Sequence, residues 1–525
     1  MMWRIFINRR TRRVFLQLLV LFLAFSLLLY MTIIFTSLFK DDSIHAGKAS
    51  ALKAASGYQI LTNIAQYRYD RYKRRNADDR RPGAWGRPHR LNLQGAAKER
   101  EINLTKTEAF NFLVSEDVPL DRSLPDFRHS LCKSIKYDYD DLPVASVVLI
   151  FNNEAWTTLM RTAHSVVNRS PPELLKEVIL VNDFSDRPEL SDDKLDVYAR
   201  KEWPDGVVKV VHLPERSGLV VARQRGAEAA TGDVVVFLDA HCEASEGWLE
   251  PLLHRIRQKR TAVVCPMIGS VDAKDFSVSG GGTGGQIGTF WWSLHFNWKS
   301  APQREVKRRK SVIDTWYSPT MAGGLLAVER DFFFETGGYD QGMDIWGGEN
   351  LEMSFRTWMC GGSVEFVPCS QVPHVWRDFH PYSFRNGKDT HGLNSIRLAE
   401  AMMDDYKRFY YWNRDKLTAE MGGDISDRLA LRKNIKCHDF KWYLDNVHPE
   451  KFIHDEHSQG WGWVRNVVNG NDICLNLLNR DESKPFKLGI YGCHNFHAMN
   501  QFFSFSLWNE LRRDESCALL DSDAA

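Results

Sequence analysis

The stretch "GLVVARQRGAEAATGDVVVFLDAHCE", Gly218 to Glu243, decides the fold. Its first part (218–232) spaces apolar residues as a helix does, and its second is an unbroken apolar run, Val234 to Leu238, that ends on Asp239. One small residue later comes His241. Alternate side chains of an extended strand share a face, so Asp239 and His241 are expected to point the same way from its C-terminal end. Open parallel sheets bind ligands at that edge. A carboxylate oxygen beside a neutral imidazole makes half of a divalent-metal site. Taken alone, the pattern fits an aspartate capping the next turn beside a packed histidine better.

The flanking sequence supplies context. "VASVVLIF" (144–151), "EVILVNDFS" (177–185) and "KVVHL" (209–213) read as further strands, with "EAWTTLMRTAHSVVN" (154–168) as a helix between the first two. This βαβα order implies a parallel α/β sheet with right-handed crossovers. From Trp248 to about Tyr411, turns and aromatics become more frequent. "GGGTGG" (280–285) has the letters of a dinucleotide-binding loop, but no clear strand precedes it and "QIGTFWWSLHFNW" follows it, so it reads as a flexible glycine loop. Phe290, Trp292, Phe296 and Trp298 in that run suit a ligand platform or a core equally.

A chain of 525 residues, 43% hydrophobic, has room for two folded domains and extra segments. Its net charge is +1, which offers no global field for nucleic acid. Arg4, Arg9, Arg10, Arg12 and Arg13 precede Val14–Phe39, a run with no charge. As a helix that run would cross a hydrocarbon core of about 30 Å. The basic flank makes residues 1–13 a cytosolic tail and 14–39 a membrane anchor, with the rest lumenal. Residues 40–109 read as a stem, and their most basic part, Arg71 to Arg90, as a solvated spacer. "REVKRRK" (304–310) reads as a solvated loop on the lumenal side. Nine cysteines suit an oxidising compartment, and none forms a CxxC pair. Asn103-Leu-Thr and Asn168-Arg-Ser are glycosylation sequons.

Five stretches then occur in order: "SVVLIFNNEAWTTLMRTAHSVVNRSPPELLKEVILVNDFSD" (146–186), "FLDAHCE" (237–243), "SPTMAGGLLAV" (318–328), "WGGENLEMSFRTWMCGG" (346–362) and "VPCSQVPHVWR" (367–377). From roughly Phe110 to Trp508 the chain resembles the polypeptide N-acetylgalactosaminyltransferases, type II membrane enzymes of the Golgi apparatus that start mucin-type O-glycosylation. The resemblance implies a GT-A type, Rossmann-like α/β catalytic domain over 110–450. It also implies UDP-GalNAc as donor, Ser/Thr hydroxyls of polypeptides as acceptors, and Mn²⁺ as cofactor. Asp239 and His241 match the family's DxH metal ligands, and His374 its third. Asp183 matches a uridine contact and Arg216 an arginine at the nucleotide. Gly323 and Gly324 match a loop where backbone approaches the donor sugar. Trp346, Glu349 and Asn350 of "WGGEN", with Arg377 at the start of a mobile lid (377–392), are the implied catalytic set. The implied chemistry retains anomeric configuration by front-face displacement, in which positioning and charge stabilisation dominate.

The same resemblance pairs Cys132 with Cys369 and Cys360 with Cys437, and leaves Cys242 and Cys265 without evident partners. Residues 451–525 resemble the first repeat of a ricin-type lectin β-trefoil, bridged by Cys474 and Cys493. Asn476 and Phe503 replace its sugar-binding aspartate and signature tryptophan, so an incomplete, structural appendage is expected. Four further departures stand near the implied site: Asn152, Asn182, Ser217 and Trp291 occupy positions where the family has a histidine and three acids. They motivate an alternative, a catalytically weak or silent member that binds peptides or partner proteins. A metal-dependent hydrolase is a third class.

Overall fold

The computed structural model describes residues 64–379, 387–414, 416–466, 468, 472–478, 486–494, 499–514 and 516–518. The expected anchor, 14–39, and residues 380–386 of the expected lid lie outside these. Among the described residues no helix is long and apolar enough to cross a membrane.

The apolar runs become strands β1 (Ala145–Phe151), β2 (Leu175–Asn182), β3 (Val208–His212), β4 (Val234–Asp239) and β5 (Ala262–Val271). After them come β6 (Val278–Ser279), β7 (Gln286–Phe290), β8 (Phe296–Ser300), β9 (Trp316–Tyr317), β10 (Leu326–Glu329) and β11 (Ser363–Val375). The main sheet has the order β3-β2-β1-β4-β10-β5-β11-β9, with β6 attached to β5, while β7 and β8 pair separately. β3, β2, β1 and β4 are parallel, as the βαβα reading requires. Helices Trp156–Arg169 and Leu219–Ala229 make two of the crossovers. β10 then inserts antiparallel between β4 and β5, so the whole sheet is mixed.

Burial on both faces explains why these strands read as continuous apolar runs. Val148, Ile179, Val235 and Phe237 enter one core. Val147, Leu149, Leu180, Val236 and Leu238 enter the other. Each such side chain contributes about 1.5–3 kcal/mol on burial. β1 lies between β2 and β4, so the chain order reverses there and leaves a crevice at the strands' C-terminal ends. Asp239 ends β4 at that crevice, in register with Ile150 of β1.

The stem reading fails for residues 68–109, because the compact unit spans 68–525. Arg68 pairs with Asp205, Lys73 with Glu246, Arg75 with Asp121, and Arg90 with Asp275. Arg81 bridges Asp79 and Asp121. Part of the basic stretch is therefore neutralised within the molecule. The helix that follows, Gly95–Glu108, lacks an apolar stripe: its buried residues are Glu101 and Glu108.

All three implied disulfides form, Cys132–Cys369, Cys360–Cys437 and Cys474–Cys493, while Cys242 and Cys265 are free and buried. Asn103 is exposed on its helix. Asn168 is only 6% exposed, and Arg169 and Ser170 beside it are also buried, so the folded chain has no room for a glycan there.

C-terminal strands β12 (Ser458–Trp463), β15 (Phe502–Ser506) and β16 (Leu511–Arg512) form one small sheet, and β13 (Ile473–Asn476) pairs with β14 (Gly489–Gly492). This region docks on the catalytic core. The fully buried Lys451 donates to Phe290 O and pairs with Asp514, each at 2.6 Å, and Trp292 N donates to Asp514 at 3.1 Å. Phe290 and Trp292 are themselves core residues, packed on Phe355 and Phe409.

Candidate metal and donor site

Asp239, His241 and His374 converge, with one potential ligand atom from each lying within 4.8 Å of the others. Strand alternation does not bring the first two together, since β4 stops at Asp239 and His241 lies in the following turn. Their approach comes from a cross-link to the end of β11: Cys242 bridges His374, and Val375 N donates to His241 O at 3.0 Å. His374 Nε2 lies 3.3 Å from Asp239 Oδ2, and the two imidazoles sit edge to face at 4.6 Å. His374 Nδ1 is buried without a hydrogen-bond partner among the described residues.

The protonation states suit a cation. Burial alone would raise the Asp239 carboxyl, but the His374 hydrogen bond and the Arg223 charge hold it well below the usual carboxylate range. Burial and the Arg377 charge lower the His241 imidazole, keeping it neutral. One anionic oxygen and two imidazole nitrogens make a mixed O/N donor set that accepts Mn²⁺ among other divalent ions.

Glu154, which the sequence reading passed over, holds this arrangement. Its Oε2 lies 3.0 Å from His241 Nδ1. A carboxylate accepts only, so Nδ1 carries the proton and Nε2 presents its lone pair. Its Oε1 accepts from Arg377 Nη2 at 2.5 Å, from Ala155 N at 3.0 Å and from Thr158 Oγ1 at 2.9 Å. Arg377 thus meets the site through Glu154, with its guanidinium also over Phe110. Glu154→Gln is expected to weaken Mn²⁺ affinity by about 10–100-fold. Titrating the variant with Mn²⁺ checks this, and an unchanged midpoint refutes the orienting role.

A second layer joins the metal carboxylate to the "WGGEN" loop. Arg223, 1% exposed, places Nη2 3.2 Å from Asp239 Oδ1 and Nη1 4.0 Å from Glu349 Oε1. Glu349 is buried beneath the cleft rather than lining it; burial raises its carboxyl, opposed by Arg223. Its Oε2 accepts from Gly347 N at 2.9 Å. Gly347 and Gly348 have φ of 108° and 82°, which side chains rarely adopt, and they set Trp346 on the cleft wall. Asn350 also stands back from the cleft: its Nδ2 donates to Met321 O at 2.9 Å, bracing the 321–324 loop, and its Cβ abuts Gly323. Gly324 does line the cleft, packed directly on the Asp239 carboxylate.

The cleft, about 330 Å³, also takes in Asp183, Arg216, Arg377 and Trp376. The Asp183 carboxylate accepts from Ser217 N at 2.6 Å and Gly218 N at 2.9 Å, fixing the loop that carries Arg216. Trp376, half exposed beside His374, was missed by the sequence reading, although it lies inside the quoted "VPHVWR". Of the four departures only Asn152 lines the cleft, and its amide donates to Asp183 O at 2.8 Å. Asn182 is buried, its amide donating to Leu190 O at 2.9 Å and its Oδ1 accepting from Ser185 N at 2.9 Å. The Ser217 hydroxyl donates to Glu215 O, and Trp291 N closes a turn onto His295 O.

Comparison with known proteins agrees with this site. Residues 146–324 match the family model described as glycosyl transferase family 2, and residues 306–381 that described as the N-terminal domain of galactosyltransferase. The chain is 48% identical over 446 residues to a probable N-acetylgalactosaminyltransferase 9 of Caenorhabditis elegans, covering 83% of this chain and 75% of the relative. It is 45% identical over 438 residues to polypeptide N-acetylgalactosaminyltransferase 13 of Homo sapiens, covering 83% and 76%. A crystal structure of GalNAc-T7 with UDP, GalNAc and Mn²⁺ superposes with a TM-score of 0.69 at 34% identity, over 85% of this chain and 82% of that one. With this identity sustained across a GT-A fold and an acid–imidazole metal trio, the chain belongs to the polypeptide N-acetylgalactosaminyltransferase family.

Proposed function

We propose that this chain transfers N-acetylgalactosamine from UDP-GalNAc to Ser/Thr hydroxyls of polypeptides, with retention of configuration and with Mn²⁺ held by Asp239, His241 and His374. The observation that carries the reading is the convergence of these three side chains on the cleft that Asp183 and Arg216 also line. The solved relative's complex with UDP, GalNAc and Mn²⁺ supports the same donor and ion. Mn²⁺ at the trio would neutralise the diphosphate and favour departure of UDP. The chain's own residues do the rest. Glu154 fixes the His241 tautomer, and Arg223 anchors the Asp239 oxygen turned from His374. Asp183 and Arg216 offer the nucleotide an acceptor and a cation at the sheet edge, and Trp346 and Trp376 supply apolar wall. The four departures leave the trio intact. The Val14–Phe39 run and the family resemblance support a single-pass type II position in the Golgi membrane with the catalytic unit lumenal.

Incubating the purified chain with labelled UDP-GalNAc, Mn²⁺ and a panel of Ser/Thr-rich peptides is expected to give α-linked product that chelation abolishes. Folded protein that binds UDP yet glycosylates no peptide defeats the reading. Release of free sugar exceeding peptide transfer would instead mark a hydrolase.

A further inference from the structure

His241 is held to the end of β11, the strand that carries His374, by a short ladder from residues 242–245. Besides the Cys242–His374 bridge, Glu243 N donates to Pro373 O at 2.8 Å and Ser245 N to Gln371 O at 3.3 Å. Whatever fixes 242–245 therefore fixes the spacing of two metal ligands. Behind this ladder stands Arg122, a side chain with no exposed surface. Its Nη2 and Nε donate to the two carboxylate oxygens of Glu243 at 2.5 and 3.0 Å. Its Nη1 donates to Phe276 O at 2.7 Å and Gly83 O at 3.1 Å. The Arg122 carbonyl accepts from Arg169 Nη2 at 2.5 Å, and Arg169 Nη1 donates to Ala244 O at 2.7 Å. Consecutive residues of the ladder are thus gripped by two buried guanidiniums, one through a side chain and one through backbone. Arg122 stands in the segment ahead of the sheet and Arg169 at the end of helix Trp156–Arg169, both outside the cleft.

We propose that Arg122 is a positioning residue of the metal centre: through its two-pronged hold on Glu243 it keeps 242–245 against 371–375 and so sets the separation of His241 from His374. The inference rests on the reading that the trio binds Mn²⁺. The planar fork is essential, because it satisfies both carboxylate oxygens and two carbonyls at once, which a lysine ammonium cannot do in the same geometry. Without it the Glu243 carboxylate is buried and unpaired, and the ladder shifts to hydrate it.

The test uses the full chain and the Arg122→Lys, Arg122→Met and Glu243→Gln variants. Free Mn²⁺ is read by electron paramagnetic resonance in the presence of UDP, alongside melting temperature and the Mn²⁺ dependence of kcat and peptide KM. The expected result is Mn²⁺ affinity weakened by about 10–100-fold in Arg122→Met and less in Arg122→Lys. Peptide KM should stay within about twofold, and kcat should return at saturating Mn²⁺. If Arg122→Met does not fold, Arg122→Lys and Glu243→Gln decide the matter by the same readings. Folded variants with wild-type Mn²⁺ affinity overturn the proposal, as does parallel loss of kcat and peptide KM that no Mn²⁺ concentration repairs. Wild-type protein that takes up no Mn²⁺ overturns the functional reading itself.

Discussion

Asp239→Asn and His374→Ala are each expected to lower peptide glycosylation by about a thousandfold or more, roughly 4 kcal/mol of lost transition-state stabilisation at 1.36 kcal/mol per tenfold. The two variants remove different things. Asp239→Asn keeps the shape of the side chain and deletes the anion, leaving the buried Arg223 with Glu349 as its remaining carboxylate, 4.0 Å away. Unpairing a buried charge is costly in itself, so this variant is also expected to melt at lower temperature. His374→Ala deletes a mostly buried imidazole whose Nδ1 has no hydrogen-bond partner among the described residues, so it should cost less stability while losing as much activity. Initial rates over a Mn²⁺ series, with melting curves beside them, separate loss of metal from loss of fold. Either variant retaining more than a tenth of wild-type rate at ordinary Mn²⁺ would refute the assignment of the trio.

The parallel half of the sheet is legible because β1, β2 and β4 are buried on both faces and so appear as unbroken apolar runs. β10 is not legible: four residues, Leu326–Glu329, carry too little pattern to reveal that they slot antiparallel between β4 and β5. At the site, the ligand types of the trio were legible but their means of approach was not. Alternation along β4 suggested a shared face, whereas the folded chain uses a turn and a ladder to β11 whose partners lie far away in sequence. Glu154 resembles any loop acid until His241 and Arg377 arrive on either side. Arg223 did leave a signal. It falls in the helical line of Val220 and Ala227, both core residues, whereas Arg225 on the same helix is exposed. An arginine within an apolar stripe asks for a buried anion, and Asp239 answers it. The Asn168 sequon misled because three letters carry no information on burial, while the amphipathic helix around them does.

Gly324→Ala is expected to reduce the rate by about a hundredfold while leaving the fold intact, close to 3 kcal/mol by the same conversion. Gly324 is not among the residues with positive φ, so alanine can adopt its backbone and the effect is one of contact. An added Cβ would stand 2.4 Å from Asp239 Oδ2, the oxygen facing His374, and 3.2 Å from its Cγ. The carboxylate has little freedom to withdraw, since Arg223 holds Oδ1 at 3.2 Å and the same guanidinium approaches Gly324 O at 3.5 Å. The strain should therefore fall on the metal ligand itself, raising the Mn²⁺ concentration needed for half-maximal rate. Gly460→Ala in β12 is the matched control: nothing lies within 4 Å of its added Cβ, and its rate should stay within about twofold of wild type. A Gly324→Ala enzyme with wild-type rate and Mn²⁺ dependence would mean that Asp239 can be displaced without consequence, and the carboxylate would then have to be removed from the metal site.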